Sequence, residues 1–223
     1  GSTAVLTNNS GNGSALIFSN TSPIVFGPNA TTSQTLSLGG TSTADNAFFP
    51  QITDNVALPT NVIKTGAGLW VLANSNNTYT GTTAVAQGVL VAQDGQGLPT
   101  ASGLLLGATT NSGVFQTSGN FTRSVAPAAG AGTVTWNGTT GGGGFAASDS
   151  KLVVALGGTG SPTPLQWGVG GFVGTGGAQS LILSSTTALA EVEWRNPIDL
   201  NGGSRTIQVD DNGNTATDFA TIT

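Results

Sequence analysis

Glu191 and Glu193 flank Val192 in the run Glu191-Val192-Glu193-Trp194-Arg195. On a strand, both carboxylates would lie on one face about 6.5–7 Å apart. That overlaps the roughly 6.5–9.5 Å separating acid and base in an inverting glycosidase. A polysaccharide hydrolase or lyase is therefore one reading of the pair. The other is a solvated outer face with Arg195 next along it, since no His, Tyr or Lys cluster accompanies the carboxylates in the sequence. Asp210-Asp211-Asn212-Gly213-Asn214 offers oxygen ligands of the kind calcium takes, but without the spaced acidic pattern of an EF-hand loop. An Asx-type turn is the plainer reading there. Trp70, Trp136, Trp167 and Trp194, with Tyr79, could form a sugar-stacking platform if exposed. Large aromatics in alternating strands otherwise fill the core or cap a coil.

Composition narrows these options. Charged residues make up 7% of the 223, against roughly 25% in ordinary globular proteins. The surface must therefore be wetted by Thr, Ser and Asn rather than by ions. The only cations, Lys64, Arg123, Lys151, Arg195 and Arg205, are scattered along a chain of net charge −5. That excludes the clustered basic face of a nucleic-acid partner and a polybasic membrane anchor. With no Cys and no His there is no disulfide, thiolate, imidazole triad or zinc-protease signature. No catalytic residue, metal ligand or cofactor is expected. No apolar stretch reaches the ~18–20 residues of a membrane span, so membrane insertion is not expected. The chain opens on Gly1 without a charged and apolar leader, as expected of a processed chain or a fragment. Sequons at Asn8, Asn12, Asn20, Asn29, Asn76, Asn120 and Asn137 barely exceed what so Ser- and Thr-rich a chain gives by chance. Neither Gly141–Gly144 nor Gly170-Gly171 is followed by the Lys-Ser/Thr of a phosphate loop.

The elements that must position these residues are strands. Helical periodicity is nearly absent; its nearest candidate, Thr186–Trp194, alternates at its end. Short period-two runs such as Leu69-Trp70-Val71-Leu72, Val89-Leu90-Val91 and Thr206-Ile207-Gln208-Val209 recur every ~10–20 residues, cut by Gly, Asn and Ser. Strands this short do not stand alone as hairpins. They suit a solenoid, in which each strand pairs with its counterpart one coil away, ~4.8 Å along the axis. The pattern predicts a single all-β solenoid over residues 1–223, with roughly nine to eleven coils and ~45–50 Å long. Leu72, Val89, Val91, Leu105, Val114, Val134, Val153, Leu181, Leu183, Ile207 and Val209 are expected to point inward. Gly141–Gly144 is expected to form a wide turn, with a flexible linker as the alternative.

The two ends read as related segments. Residues 14–53 carry Ser14-Ala15-Leu16-Ile17-Phe18-Ser19, then Thr35-Leu36-Ser37-Leu38 and Thr43 to Phe48; residues 179–223 carry Gln179-Ser180-Leu181-Ile182-Leu183-Ser184, then Thr206-Ile207-Gln208-Val209 and Thr215 to Phe219. Thr35–Phe48 and Thr206–Phe219 align without a gap. Such self-similarity marks an array. Solenoid ends leave strand edges unpaired, and little charge blunts them here. Head-to-tail association with itself is expected, with Leu16, Ile17, Phe219 and Ile222 as the candidate end residues; a chain cut from a longer covalent array is the alternative.

One stretch carries a family resemblance. Residues 63–93 contain Lys64-Thr65-Gly66-Ala67-Gly68-Leu69-Trp70-Val71-Leu72, then Asn77-Thr78-Tyr79-Thr80-Gly81-Thr82-Thr83, then Gly88-Val89-Leu90. This resembles the autotransporter-associated β-strand repeat of bacterial surface and secreted passenger proteins. Leu165 to Val173 and Trp194 to Val209 resemble segments that accompany that repeat in very large bacterial surface proteins. The resemblance implies a right-handed parallel β-helix and an extracellular or cell-surface location. It implies no catalytic activity. The expected role is an extracellular stalk, filament or matrix subunit. An adhesin or glycan-binding module, with surface glycans as partners, is the alternative.

Overall fold

The computed structural model describes residues 1–27, 31–56, 58–107, 111–137, 141–176 and 179–223. Among them there is no helix. The strands are β1 (Thr3–Asn8), β2 (Ile17–Phe18), β3 (Gln34–Gly40), β4 (Asn46–Phe48), β5 (Thr60–Lys64), β6 (Leu69–Leu72), β7 (Thr83–Val85), β8 (Gly88–Val91) and β9 (Leu104–Leu106). They continue as β10 (Gly113–Phe121), β11 (Ser124–Val125), β12 (Thr133–Trp136), β13 (Gly143–Val154), β14 (Leu165–Gln166) and β15 (Ser180–Leu183). The last are β16 (Val192–Trp194), β17 (Ile198–Asp199), β18 (Thr206–Val209) and β19 (Ala220–Ile222).

From β1 to β10 successive strands alternate between two sheets. One runs β1-β3-β5-β7-β9-β12-β11; the other runs β2-β4-β6-β8-β10-β13-β15-β18, with β16 and β19 beside it. The strand pairings within both sheets are parallel, as is the short third sheet β14-β17. This is a parallel β-solenoid. The longer path crosses eight strands, giving a ladder of ~34 Å. That is shorter than nine to eleven coils, because the coils lengthen: Leu69 pairs with Val89 twenty residues on, but Gly143 pairs with Leu181 thirty-eight residues on.

The core is a set of in-register stacks. Trp70, Leu90, Phe115, Phe145 and Leu183 succeed one another up one sheet, and Val62, Thr83, Leu104 and Val134 up the other. All of these are buried. Farther along, aromatic rings close the interior: Trp136 meets Phe172 edge-on at 5.1 Å, and Phe172 meets Trp167 at 5.6 Å. Glycine turns the corner between the sheets. Gly66 has φ of +70°, and a Cβ on it would lie 2.5 Å from the Gly40 carbonyl oxygen of the preceding coil. Only a residue without Cβ permits both the backbone angle and the close approach.

Leu72, Val134, Leu181 and Leu183 do point inward. Five of the other expected inward residues do not. Val89, Val91 and Val114 face out of the β8–β10 sheet, in a second apolar cluster with Leu69, Ile182 and Ala188. Leu105 and Val153 are half-buried, while Leu104, Leu106, Leu152 and Val154 fill the interior. In runs such as Leu104-Leu105-Leu106, alternation carries no parity, so the partner strands decide which face is inner. Ile207 and Val209 continue the inner stacks above Leu181 and Leu183, yet are exposed at the end of the sheet. Gly143 and Gly144 are not a turn or linker; they begin β13 and pair with Leu181 and Ile182.

Candidate functional site

Glu191 and Glu193 do share a face, because Val192 and Trp194 between and after them are buried in the core. Lys151, forty residues away in sequence and on the neighbouring strand β13, lies 3.1 Å from Glu191 Oε2 and 2.7 Å from Glu193 Oε2. Arg195 Nε donates to Glu193 Oε1 at 2.6 Å. Hydrogen bonds from Arg195 and then from Lys151 hold the Glu193 carboxyl down to about 2 from the usual 4.5. A general acid needs the opposite shift, a carboxyl kept protonated near neutral pH. Thr221 Oγ1 donates to Glu191 Oε1 at 2.8 Å. The group therefore reads as an ion-pair clamp tying β13, β16 and β19 together, not an acid–base pair.

The other candidates resolve similarly. Asn212 Oδ1 accepts the backbone N–H of Asn214 at 3.2 Å, and Asn212 Nδ2 donates to the Ala188 carbonyl at 2.8 Å. This is the Asx-turn reading of the Asp210–Asn214 run. Among the described residues no group of three or more His, Cys, Asp or Glu could hold a metal ion. All four Trp and Tyr79 are buried, so they form no exposed platform for sugars. Trp70 Nε1 donates to the Gly39 carbonyl at 2.9 Å, and Tyr79 Oη pairs with Thr83 Oγ1 at 2.8 Å. Asn12, Asn20, Asn76 and Asn120 of the sequons are exposed; Asn29 lies outside the described residues. No helix among the described residues is long and apolar enough to cross a membrane.

Lys64 was not singled out by sequence reasoning. It occupies an inner position of β5, stacked between Leu38 and Val85, and is fully buried. Its Nζ donates to the carbonyls of Thr65 at 2.9 Å, Gly66 at 2.7 Å and Gln87 at 3.1 Å. All three N–H groups of an ammonium are thereby satisfied at the glycine corner. Burial pushes its pKa from 10.5 down to about 7.

What remains open is the two ends. β1 and β2 close one end, each paired on a single side, with β3 and β4 respectively. Between them the interior opens as a cavity of about 480 Å³ lined by Leu6, Phe18, Ile24, Leu36 and Phe48. Leu16 is half-buried beside it and Ile17 is exposed. At the other end, among the described residues, β18 pairs only with β15 and β19 only with β16. Ile207, Val209, Phe219 and Ile222 are exposed there. The four residues expected at the ends thus lie at opposite ends, Leu16 with Ile17 and Phe219 with Ile222.

Among protein families, the passenger-associated-transport-repeat matches residues 62–92, the stretch from β5 through β8. No curated protein matches the chain, and no solved structure does. The match accords with an autotransporter-type repeat over that part of the chain, and with an extracellular, surface-associated passenger segment.

Proposed function

We propose that this chain is an extracellular structural segment, a β-solenoid stalk or filament subunit that associates head-to-tail with copies of itself. One observation carries the reading: both ends present strands paired on one side only, with apolar interior positions exposed at one end (Ile207, Val209, Ile222) and half-buried around a cavity at the other (Leu6, Phe18). Unpaired edges of this kind add strands from another chain unless they are blocked. Contacts between unlike ends do not close on themselves, so they propagate as filaments. The repeat match over residues 62–92 supports placement outside the cell. Electron microscopy and sedimentation velocity of the purified chain test the reading. Oligomers that lengthen with concentration are expected; single short rods at every concentration would sink it.

Glycan binding is the second reading, and one groove favours it. Thr21, Gln51, Asn74 and Asn76 line a neutral polar hollow of about 260 Å³ beside half-exposed Phe49. The Thr21 hydroxyl and the Asn76 amide next to an aromatic side chain suit a sugar ring, while the Gln51 and Asn74 amides donate to the Asn76, Thr21 and Phe49 carbonyls and hold the hollow in shape. Screening the chain against a glycan array, with Asn76→Ala as control, tests it.

A further inference from the structure

Four Asn-Gly steps stand in the sequence, at Asn12, Asn137, Asn201 and Asn212. In such a step the glycine nitrogen is able to attack the side-chain amide carbon before it, because no Cβ shields that nitrogen and the glycine backbone turns freely. Gly138 lies outside the described residues; the structure separates the other three steps. Asn212 is buried and held from both sides. Its Oδ1 accepts the backbone N–H and the side-chain amide of Asn214, both at 3.2 Å, and its Nδ2 donates to the Ala188 carbonyl at 2.8 Å. Asn201 is exposed but tethered. Its Nδ2 donates to the Trp167 carbonyl at 3.1 Å, and its backbone N–H donates to Asp199 Oδ1 at 2.8 Å. Asn12 is exposed in the turn Gly11-Asn12-Gly13, and its side chain has no hydrogen-bond partner among the described residues. The loop is pinned below that tip: Asn8 Nδ2 donates to the Ser14 carbonyl at 2.8 Å, and Asn8 Oδ1 accepts the Ser10 N–H at 2.9 Å. A Cβ added at Gly11 or Gly13 would meet nothing within 4 Å. The tip therefore has room for a cyclic imide, and for the longer backbone its opening leaves, without moving β1 or β2.

We infer that Asn12–Gly13 is a self-modifying site, at which the folded chain converts its own asparagine to aspartate and isoaspartate. The Gly13 nitrogen bonds to Asn12 Cγ and gives up its proton to solvent. The Cγ–Nδ2 bond breaks, Nδ2 takes up protons, and ammonia leaves. The product of this step is a cyclic imide. One water then opens it. Breaking the bond from nitrogen to Cγ leaves an aspartate side chain on the original backbone. Breaking the bond from nitrogen to the Asn12 main-chain carbonyl carbon leaves isoaspartate, with the backbone running through Cγ. The balance is one water consumed and one ammonia released, with no oxidant and no other reactant. Either product carries a carboxylate. Residues 1–44 contain no charged side chain, so the conversion places a new negative charge on the coil of β1 and β2, and that charge accumulates with the age of the chain. Asn212 undergoes the same chemistry only when its turn opens, since the buried amide has to leave the Ala188 carbonyl and the Asn214 N–H first.

The test holds the full chain in mildly alkaline buffer, folded and in denaturant, and follows each Asn-Gly step by peptide mapping with mass spectrometry. In the folded chain, aspartate and isoaspartate should appear first at position 12. Asn12 should convert ~10-fold or more faster than Asn212, because releasing Asn212 breaks several hydrogen bonds, with Asn201 between them. In denaturant the three rates should converge. Gly13→Ala, whose added Cβ meets open space, should slow conversion at position 12 and leave the rate at Asn201 unchanged. Folded-state conversion at Asn12 no faster than at Asn212 would overturn the inference. So would the same order and spread of rates in denaturant, since local sequence and not the fold would then choose the site. An unchanged rate at position 12 in Gly13→Ala would also overturn it, because the Gly13 nitrogen would then not be the attacking group.

Discussion

Leu38 and Val209 hold the same kind of position, an inner residue of a strand that pairs in register with the strand of the preceding coil. Leu38 is fully buried and Val209 is half exposed. The difference is that β3 lies between two coils and β18 beneath one. In a solenoid, burial belongs to the stack and not to the residue: each coil is an interior only while another covers it. The same contrast separates the middle of the molecule, where the repeat-matched β5–β8 region is covered on both sides, from its two ends.

Charge placed at equivalent positions should separate these regions most sharply. Leu90→Asp puts a carboxylate in the middle of the inner stack, where no cation faces it, and should cost more than ~4 kcal/mol. Thermal melting should show the middle coils lost. Val209→Asp reaches solvent at the end and should cost less than ~1 kcal/mol. Equal losses at the two sites would break the comparison.

Two corner residues of the middle region come next. Gly66→Ala forces a Cβ into the Gly40 carbonyl at positive φ and should cost ~1–3 kcal/mol in denaturant unfolding. Lys64→Met leaves the carbonyls of Thr65, Gly66 and Gln87 without their donor, at a cost of ~1–3 kcal/mol. Lys64 also gives a pH signature. Its pKa is about 7 folded against 10.5 ordinarily, so between those values the unfolded chain holds a proton that the folded chain has released. Stability should therefore rise with pH from about 7 toward 10.5 and gain nothing from this residue below 7. The slope should vanish in Lys64→Met.

The smallest effect belongs to the clamp near the open end. Glu193 titrates at about 2 rather than 4.5, so its contribution is complete above 4.5 and fades as pH falls toward 2. Glu193→Gln keeps an acceptor for Lys151 and Arg195, whose own side chains are 46% and 40% exposed, so it should cost only ~1 kcal/mol at neutral pH and should lose the acid-side dependence between those values.

Residue chemistry by itself determined the fold class. Short alternating runs broken by Gly and Asn leave parallel stacking as the way to satisfy so many brief strands, and Lys64 to Leu90 were enough to indicate the repeat family. The Asx turn at Asn212 was equally local and equally legible. Face parity was not. Leu104-Leu105-Leu106 and Leu152-Val153-Val154 offer apolar groups to both sides, and only the register imposed by neighbouring coils turned Leu105 and Val153 outward. The setting of Lys64 and the pairing of Lys151 with Glu191 and Glu193 were likewise settled between coils, across 23 and 40 or more residues. Hydrophobic pattern and turn chemistry act within one strand, so a sequence displays them directly. Burial, ion pairing and the openness of the ends arise from what is stacked above and below, and only the tertiary structure decides that.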